Sequence, residues 1–312
     1  MQHNLKKLLS LLLMLSAVVG LLPGLTAAAD ADQIPYIEAS YAEGTGVTYT
    51  SKTAEATALT SSSTSLNDGW YYVTGNVTVS SRISVSGTVN LILCDGATLT
   101  ANAGINVASD QTLNIYAQEG GTGVLTSTGS GSDYQAGIGG GHCAAGGTVV
   151  IHGGTVNATG ASVVYNGIGG GGAGIGGGGG SDSGAGIGGG GYGAGGTVTI
   201  SGGTVTANGG NGAQGIGHGT NNSTNGTLTV GSGLAVYGDN SNSDPTTVIT
   251  DYATTRYRYM KVMIPPVSYV EMSFDVNTLK LTSEEKTVKV YTVVSSEQQR
   301  GPTADGMSST AT

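Results

Sequence analysis

Carboxylates, imidazoles, thiols, hydroxyls and phenols are the groups here that chemistry could use. Their spacing decides which of them can act together. Between Ala136 and Gly238 the one acidic residue is Asp182, and there is no Lys or Arg. Hydrolysis of a sugar bond needs two carboxyl groups facing it. A lyase needs carboxylates for calcium and a cation as base. Asp95, Asp110, Glu119 and Asp133 lie nearby but are scattered over turns. The pattern therefore argues against an enzyme. A polysaccharide lyase or glycosidase is the alternative, and it would need acids assembled across stacked strands. His142, Cys143 and His152 offer three metal-ligand types without a metal-ligand spacing, so they read as turn residues, and neither a metal nor a cofactor is expected. Glycine-rich loops that cradle phosphate require a lysine and a following helix, and both are missing from the glycine block. Cys94 and Cys143 form no disulfide framework. They read as two small buried or half-buried residues, with a single bridge as the other reading.

Hydroxyls and phenols are more numerous. Thr197 with Thr199, Thr204 with Thr206, and Thr227 with Thr229 are spaced two apart, so each pair shares one strand face. A stack of such pairs would make a hydroxyl array, which raises ice binding as a minor alternative. Thr148/Val150 and Thr155/Asn157 interrupt it. Tyr134, Tyr165 and Tyr192 each stand beside a Gly-Ile-Gly unit, 31 and 27 residues apart. A row of phenol rings would stack on sugars and offer polar contacts. Tyr257 and Tyr259, interleaved with Arg256 and Arg258, form a second candidate. The competing reading is that these rings cover glycine-thinned turns.

The elements that must position these residues are repeats. Gly146-Gly147-Thr148-Val149-Val150-Ile151 returns as Gly195-Gly196-Thr197-Val198-Thr199-Ile200, and a second Gly-Gly-Thr-Val follows each seven residues later. Gly-Ile-Gly occurs around Ile138, Ile168, Ile175, Ile187 and Ile216. Each piece is too short for a helix and alternates with period two. Upstream, Val77–Val79, Ile83–Val85, Val89–Leu93, Ala97–Leu99, Ile105–Val107 and Leu113–Ile115 continue the pattern with ordinary side chains between Gly and Asp turns. The expected fold is all-β: a right-handed parallel β-helix of short three-strand coils with a small C-terminal β appendage. Lone coils cannot bury a face, so several must stack. Val149, Ile151, Val156, Val198, Ile200, Val205, Leu228 and Val230 are expected to point inward. The block from Gly167 to Gly195 reads as ordered coil rather than linker, because isoleucines recur within it.

The flanks set boundaries. Lys6 and Lys7, the apolar run to Leu22 and Ala27-Ala28-Ala29 have the order of a secretory signal peptide, residues 1–29. No second stretch in the mature chain could span a membrane. Residues 30–69 read as a Ser/Thr-rich N-terminal segment and cap, with strands near Tyr36 and Tyr49. Residues 70–264 read as the glycine-rich β-helix, with Trp70–Val73 and Tyr257–Met263 as candidate caps. Residues 267–312 read as a partial β domain and tail. Of 312 residues, 57 are Gly, which makes a helical protein untenable because Gly costs ~1 kcal/mol per helical position. The net charge is −9, and no cation lies between Arg82 and Arg256. That excludes a nucleic-acid partner for the central region, since such binding needs clustered cations.

Gly69–Val73, Ile83–Val85, Leu91–Gly96, Gly104–Val107, Ala136–Gly140 and Gly195–Gly203 together resemble the glycine-rich β-helix repeats of large secreted surface proteins of Gram-positive anaerobic bacteria. The resemblance covers roughly Trp70 to Ile264. It implies a secreted, cell-surface structural or adhesive module of the carbohydrate-binding, adhesin-like kind, with a polysaccharide or a host or cell-wall glycan as partner. The chain is also similar in outline to calcium-assisted, pectin-binding β-helix modules, but it departs from them in lacking acidic clusters in its repeats.

Overall fold

A computed structural model describes residues 32–42, 46–130, 135–141, 143–165, 168–171, 175–176, 194–210, 213–217, 226–252, 257–275 and 280–288. Residues 1–31 and the last 24 residues lie outside them. The compact unit from Gln33 onward is all-β, and no helix occurs among the described residues.

In chain order the strands are β1 (Asp32–Ala42), β2 (Gly46–Ala58), β3 (Ser65–Leu66), β4 (Gly69–Val73), β5 (Asn76–Val79), β6 (Ile83–Val85), β7 (Thr88–Leu93), β8 (Thr98–Ala101) and β9 (Ile105–Asn106). Next come β10 (Thr112–Ala117), β11 (Val124–Thr128), β12 (Ile138–Gly139), β13 (Thr148–Ile151), β14 (Thr155–Thr159), β15 (Ser162–Tyr165), β16 (Ile168–Gly171) and β17 (Ile175–Gly176). The last are β18 (Thr197–Ile200), β19 (Thr204–Asn208), β20 (Ile216–Gly217), β21 (Thr227–Val230), β22 (Ala235–Asp239), β23 (Tyr259–Met263), β24 (Val267–Asp275) and β25 (Lys280–Val288).

From β3 to β22 the chain visits three sheets in rotation. The first sheet runs β1-β2-β4-β7-β10-β13-β18-β21, the second β22-β23-β19-β14-β11-β8-β5, and the third β20-β17-β12-β9-β6-β3. From β4 to β21 every neighbouring pair of the first sheet is parallel and in strict register, for example Thr112↔Thr148↔Thr197↔Thr227. The circuits differ in length because excess chain leaves at the corners. Thr148 and Thr197 are sheet neighbours across 49 residues, and the antiparallel pair β15–β16 lies within that excursion. Ile83, Ile105, Ile138, Ile175 and Ile216 are successive register partners in the third sheet. Ile168 instead pairs with Tyr165 in the β15–β16 hairpin. Ile187 lies outside the described residues.

Strict alternation puts one residue in two inside. Leu91, Leu99, Ile105, Leu113, Ile115, Leu125, Ile138 and Ile151, from all three sheets, are fully buried in one cluster. Each such side chain contributes roughly 1.5–3 kcal/mol of burial. Of the eight residues expected inside, seven are buried. Val230 is partly buried, because β21 is the last strand of its sheet and no further circuit lies beyond it.

The paired glycines have a physical reason. A Cβ on Gly196 would sit 2.3 Å from the carbonyl oxygen of Gly147, and one on Gly226 would sit 2.0 Å from that of Gly196. At this corner successive circuits touch backbone to backbone, so the requirement is closeness rather than a left-handed φ. Only the second pair needs the latter, with Gly203 at φ +82°.

Strands β1 and β2 were not expected where they lie. They strap the outer side of the first sheet. Val47 reaches Gly231 and the ring of Tyr49 reaches Gly202, whereas Thr57 pairs with Tyr71 at the other end. Ile37 pairs with Ala117, which closes β1-β2-β4-β7-β10 into a five-strand ring. Beneath the strap Tyr36, Trp70 and Tyr116 cluster with centroids 4.6 to 5.1 Å apart, Tyr36 edge-on to Tyr116, and His152 stacks on Tyr116 at 4.3 Å. Trp70 thus belongs to a covered outer face, with β2 paired beyond it. At the other end β23 pairs antiparallel with β19 and covers the edge of the second sheet. Strands β24 and β25 form a separate antiparallel hairpin. No disulfide joins buried Cys94 to exposed Cys143.

Candidate functional site

The outward positions of the second sheet form a grid. Strands β5, β8, β11, β14 and β19 are paired in register, so their outward residues line up in columns. The first column is Asn76, Thr98, Val124, Thr155 and Thr204. The second is Thr78, Thr100, Thr126, Asn157 and Thr206. Thr128, Thr159 and Asn208 begin a third. All of them are half-buried or exposed, while the residues between them, such as Leu99, Leu125, Val156 and Val205, are buried. Alternation sets this up locally: each strand supplies Thr-x-Thr or a close variant, with an apolar residue at x. The result is a flat face of hydroxyls, amides and methyl groups, with no charged side chain on those five strands. Within each column successive residues are spaced by the ~4.8 Å inter-strand distance.

Antiparallel β23 extends this face. Tyr259 stands opposite Asn208 and Lys261 opposite Thr206, both half-buried and outward, while the alternate residues Met260 and Val262 are fully buried. Tyr237 on β22 faces Lys261 from the next strand. Lys261 is tied to Asp244 at 2.7 Å. The guanidinium of Arg258 lies 5.0 Å from the centre of the Tyr259 ring, while its Nε–H donates to the Gly209 carbonyl at 3.2 Å. Tyr259 is thereby held as a ring at the margin of the grid.

The other predicted tyrosines fare differently. Tyr257 packs over Gly238, whose added Cβ would lie 2.5 Å from the ring, and it joins the edge of the core. Its position is that of a packing residue. The backbone of Tyr165 is in β15, and its side chain lies outside the described residues, as do Tyr134 and Tyr192 altogether. The expected hydroxyl array is also redistributed. Thr204 and Thr206 belong to the second sheet, whereas Thr197, Thr199, Thr227 and Thr229 belong to the first. The sequence reading missed Thr98, Thr100 and Thr126 as members of the array. Their alternation was visible, but the columns depend on register between circuits of unequal length.

A cleft of about 150 Å³ lies at the corner between the first and second sheets, under the strap. Its floor is glycine, from Gly120, Gly121, Gly153, Gly154 and Gly203, and its walls include Tyr49, Glu119, His152, Thr155 and Thr204. The Nδ1 of His152 lies 2.7 Å from the Ala39 carbonyl oxygen. Burial holds the imidazole below its ordinary pKa, and the Ala39 hydrogen bond works against that shift. As a neutral ring it donates from Nδ1 and leaves Nε2 an acceptor. Burial also raises the Tyr49 phenol, so both groups are neutral near pH 7.

The carboxylate of Asp95 is engaged in holding one turn on the next. It accepts from Gly120 N at 2.9 Å and from Thr122 N at 3.1 Å. Among the described residues no three His, Cys, Asp or Glu side chains converge as metal ligands, and no helix is long and apolar enough to cross a membrane. His142 and His218 lie outside the described residues. Comparison with protein-family models, curated proteins and solved structures finds no match to this chain.

Proposed function

We propose that the chain is a secreted or cell-surface adhesive module, built as a right-handed parallel β-helix, that holds an uncharged polysaccharide against its second sheet. The rotation through three sheets in parallel register supports the β-helix, and parallel crossovers are right-handed in about 98% of cases. The observation that carries the binding reading is the uncharged Thr/Asn grid of β5, β8, β11, β14 and β19, with Tyr259 at its margin. Hydroxyls and amides both donate and accept, as sugar hydroxyls do, and an aromatic face packs on the apolar face of a sugar ring. A long flat face suits a polymer better than a small molecule, because it offers many weak contacts that act together. Secretion rests on the n-region, apolar run and Ala-rich end of residues 1–29. The partner is a microbial, plant or host glycan of neutral character.

The test is depletion of the full mature chain from solution by insoluble neutral and acidic polysaccharides. The wild type is compared with Thr126→Glu/Thr206→Glu, which places two charges in the second column of the grid. Neutral polymers are expected to deplete the wild type and not the variant, with little dependence on salt because no ion pair is formed. Equal depletion of the two proteins by every polymer would refute the assignment.

A second reading, ice binding, draws support from the same in-register threonine columns. Its measurement is growth arrest of a seed crystal below the melting point. Val124, Asn157 and Asn208 interrupt the array, and the polysaccharide reading accommodates them directly.

A further inference from the structure

We propose that the glycine-floored cleft under the strap is a second binding site, for one neutral or amine-bearing hydroxylated six-membered ring. The inference rests on the polysaccharide reading above, to which it adds a chain-end or branch pocket. Four observations point to it. A cavity of about 150 Å³ has the size that holds a single six-membered ring. The floor carries no side chain, because circuits touch at the corner: a Cβ on Gly203 would lie 2.4 Å from the Gly154 carbonyl oxygen. A ring can therefore lie flat against backbone, with Tyr49 as an aromatic wall. The lining is rich in acceptors, with the carboxylate of Glu119, the hydroxyls of Thr155 and Thr204 and the imidazole of His152, and it holds no Lys or Arg. Such a lining favours a ligand with many donors and disfavours a carboxylate or phosphate. Finally, Thr155 and Thr204 belong both to the cleft and to the first column of the grid. A polymer on the second sheet would thus have the cleft beside it.

The experiment uses the full mature chain and three soluble probes, methyl glucoside, glucosamine and glucuronate, followed by ligand-observed NMR. Glucosamine and methyl glucoside are expected to bind, and glucuronate about tenfold more weakly. Tyr49→Ala should weaken both binding probes about fivefold or more, and Tyr49→Phe should restore most of the loss, because the wall is the ring. Glu119→Gln should weaken glucosamine more than methyl glucoside. The grid variant Thr126→Glu/Thr206→Glu should leave the binding of the neutral methyl glucoside unchanged while losing the polymer. Ring binding that survives while polymer binding is absent in the wild type would keep the cleft and refute the grid. Three results would overturn the cleft: no probe binding, glucuronate binding as well as methyl glucoside, or binding indifferent to Tyr49→Ala. Thermal melting of each variant separates misfolding from lost binding. If Tyr49→Ala does not fold, the glucuronate comparison on the wild type and the Glu119→Gln pair decide the matter.

Discussion

Arg82 gathers five acceptors. Its Nη1 donates to Ala103 O at 3.1 Å, Gln135 Oε1 at 2.9 Å and Ala136 O at 3.1 Å, and its Nη2 to Gly139 O at 3.0 Å and Gly140 O at 3.2 Å. A planar fork can bond to several carbonyls at once, and an ammonium cannot. Arg82→Lys should therefore destabilise the corner almost as much as Arg82→Leu, by on the order of 2–3 kcal/mol. Chemical denaturation checks this, and a lysine variant as stable as the wild type would contradict it. His152 gives a pH dependence. Its folded pKa lies below the ordinary 6.5, so below that pH the unfolded chain takes up a proton that the folded chain resists. Its contribution is fully present above pH 6.5 and is lost as pH falls through that value towards the folded pKa. The fall in Tm between pH 7.5 and pH 5 should be smaller in His152→Gln than in the wild type. Equal falls would mean that other groups set the acid limit.

Elements depend on what covers them. Val198 is buried in β18, between Val149 and Leu228 in register. Val198→Asp would bury an unpaired charge and should cost several kcal/mol; an unchanged melting profile would overturn the inward assignment. Strand β23 covers the edge of β19 through four register pairs from Val205↔Val262 to Asn208↔Tyr259. Removing residues 239–264 should bare that edge and drive association, and a monomer of unchanged stability by light scattering and calorimetry would refute the covering role. The strap is a different kind of element. It hides the outward side chains Ile92 and Tyr116, which are almost fully buried. A chain lacking residues 32–58 should expose them as an apolar patch, bind a hydrophobic dye and self-associate.

At the scale of the whole molecule, the period-two alternation of Thr197–Ile200 and its equivalents made short strands with an apolar inner face legible, and the Gly-Gly-Thr repeats made their stacking legible. Circuit length was not legible. Ile168 carries the same Gly-Ile-Gly signature as Ile175, yet Ile175 is the register partner of Ile138 and Ile168 pairs with Tyr165. The strap was not legible either, because Tyr36, Tyr49 and Val47 gain their meaning from residues 34 to 184 positions away, with no periodicity to announce them. The candidate binding face was half legible. Tyr259 was chosen for its ring, but its place opposite Asn208 follows from an antiparallel pairing, and the threonine grid follows from register across unequal circuits. Threonine methyl groups give the most direct measurement of that grid. Titration of the mature chain with a soluble neutral oligosaccharide, taken from a polymer that depletes it, should shift the methyl signals of Thr100, Thr126 and Thr206 on the second sheet. It should leave those of Thr197, Thr199, Thr227 and Thr229 on the first sheet in place. Shifts confined to the first sheet, or none at saturation, would contradict the account.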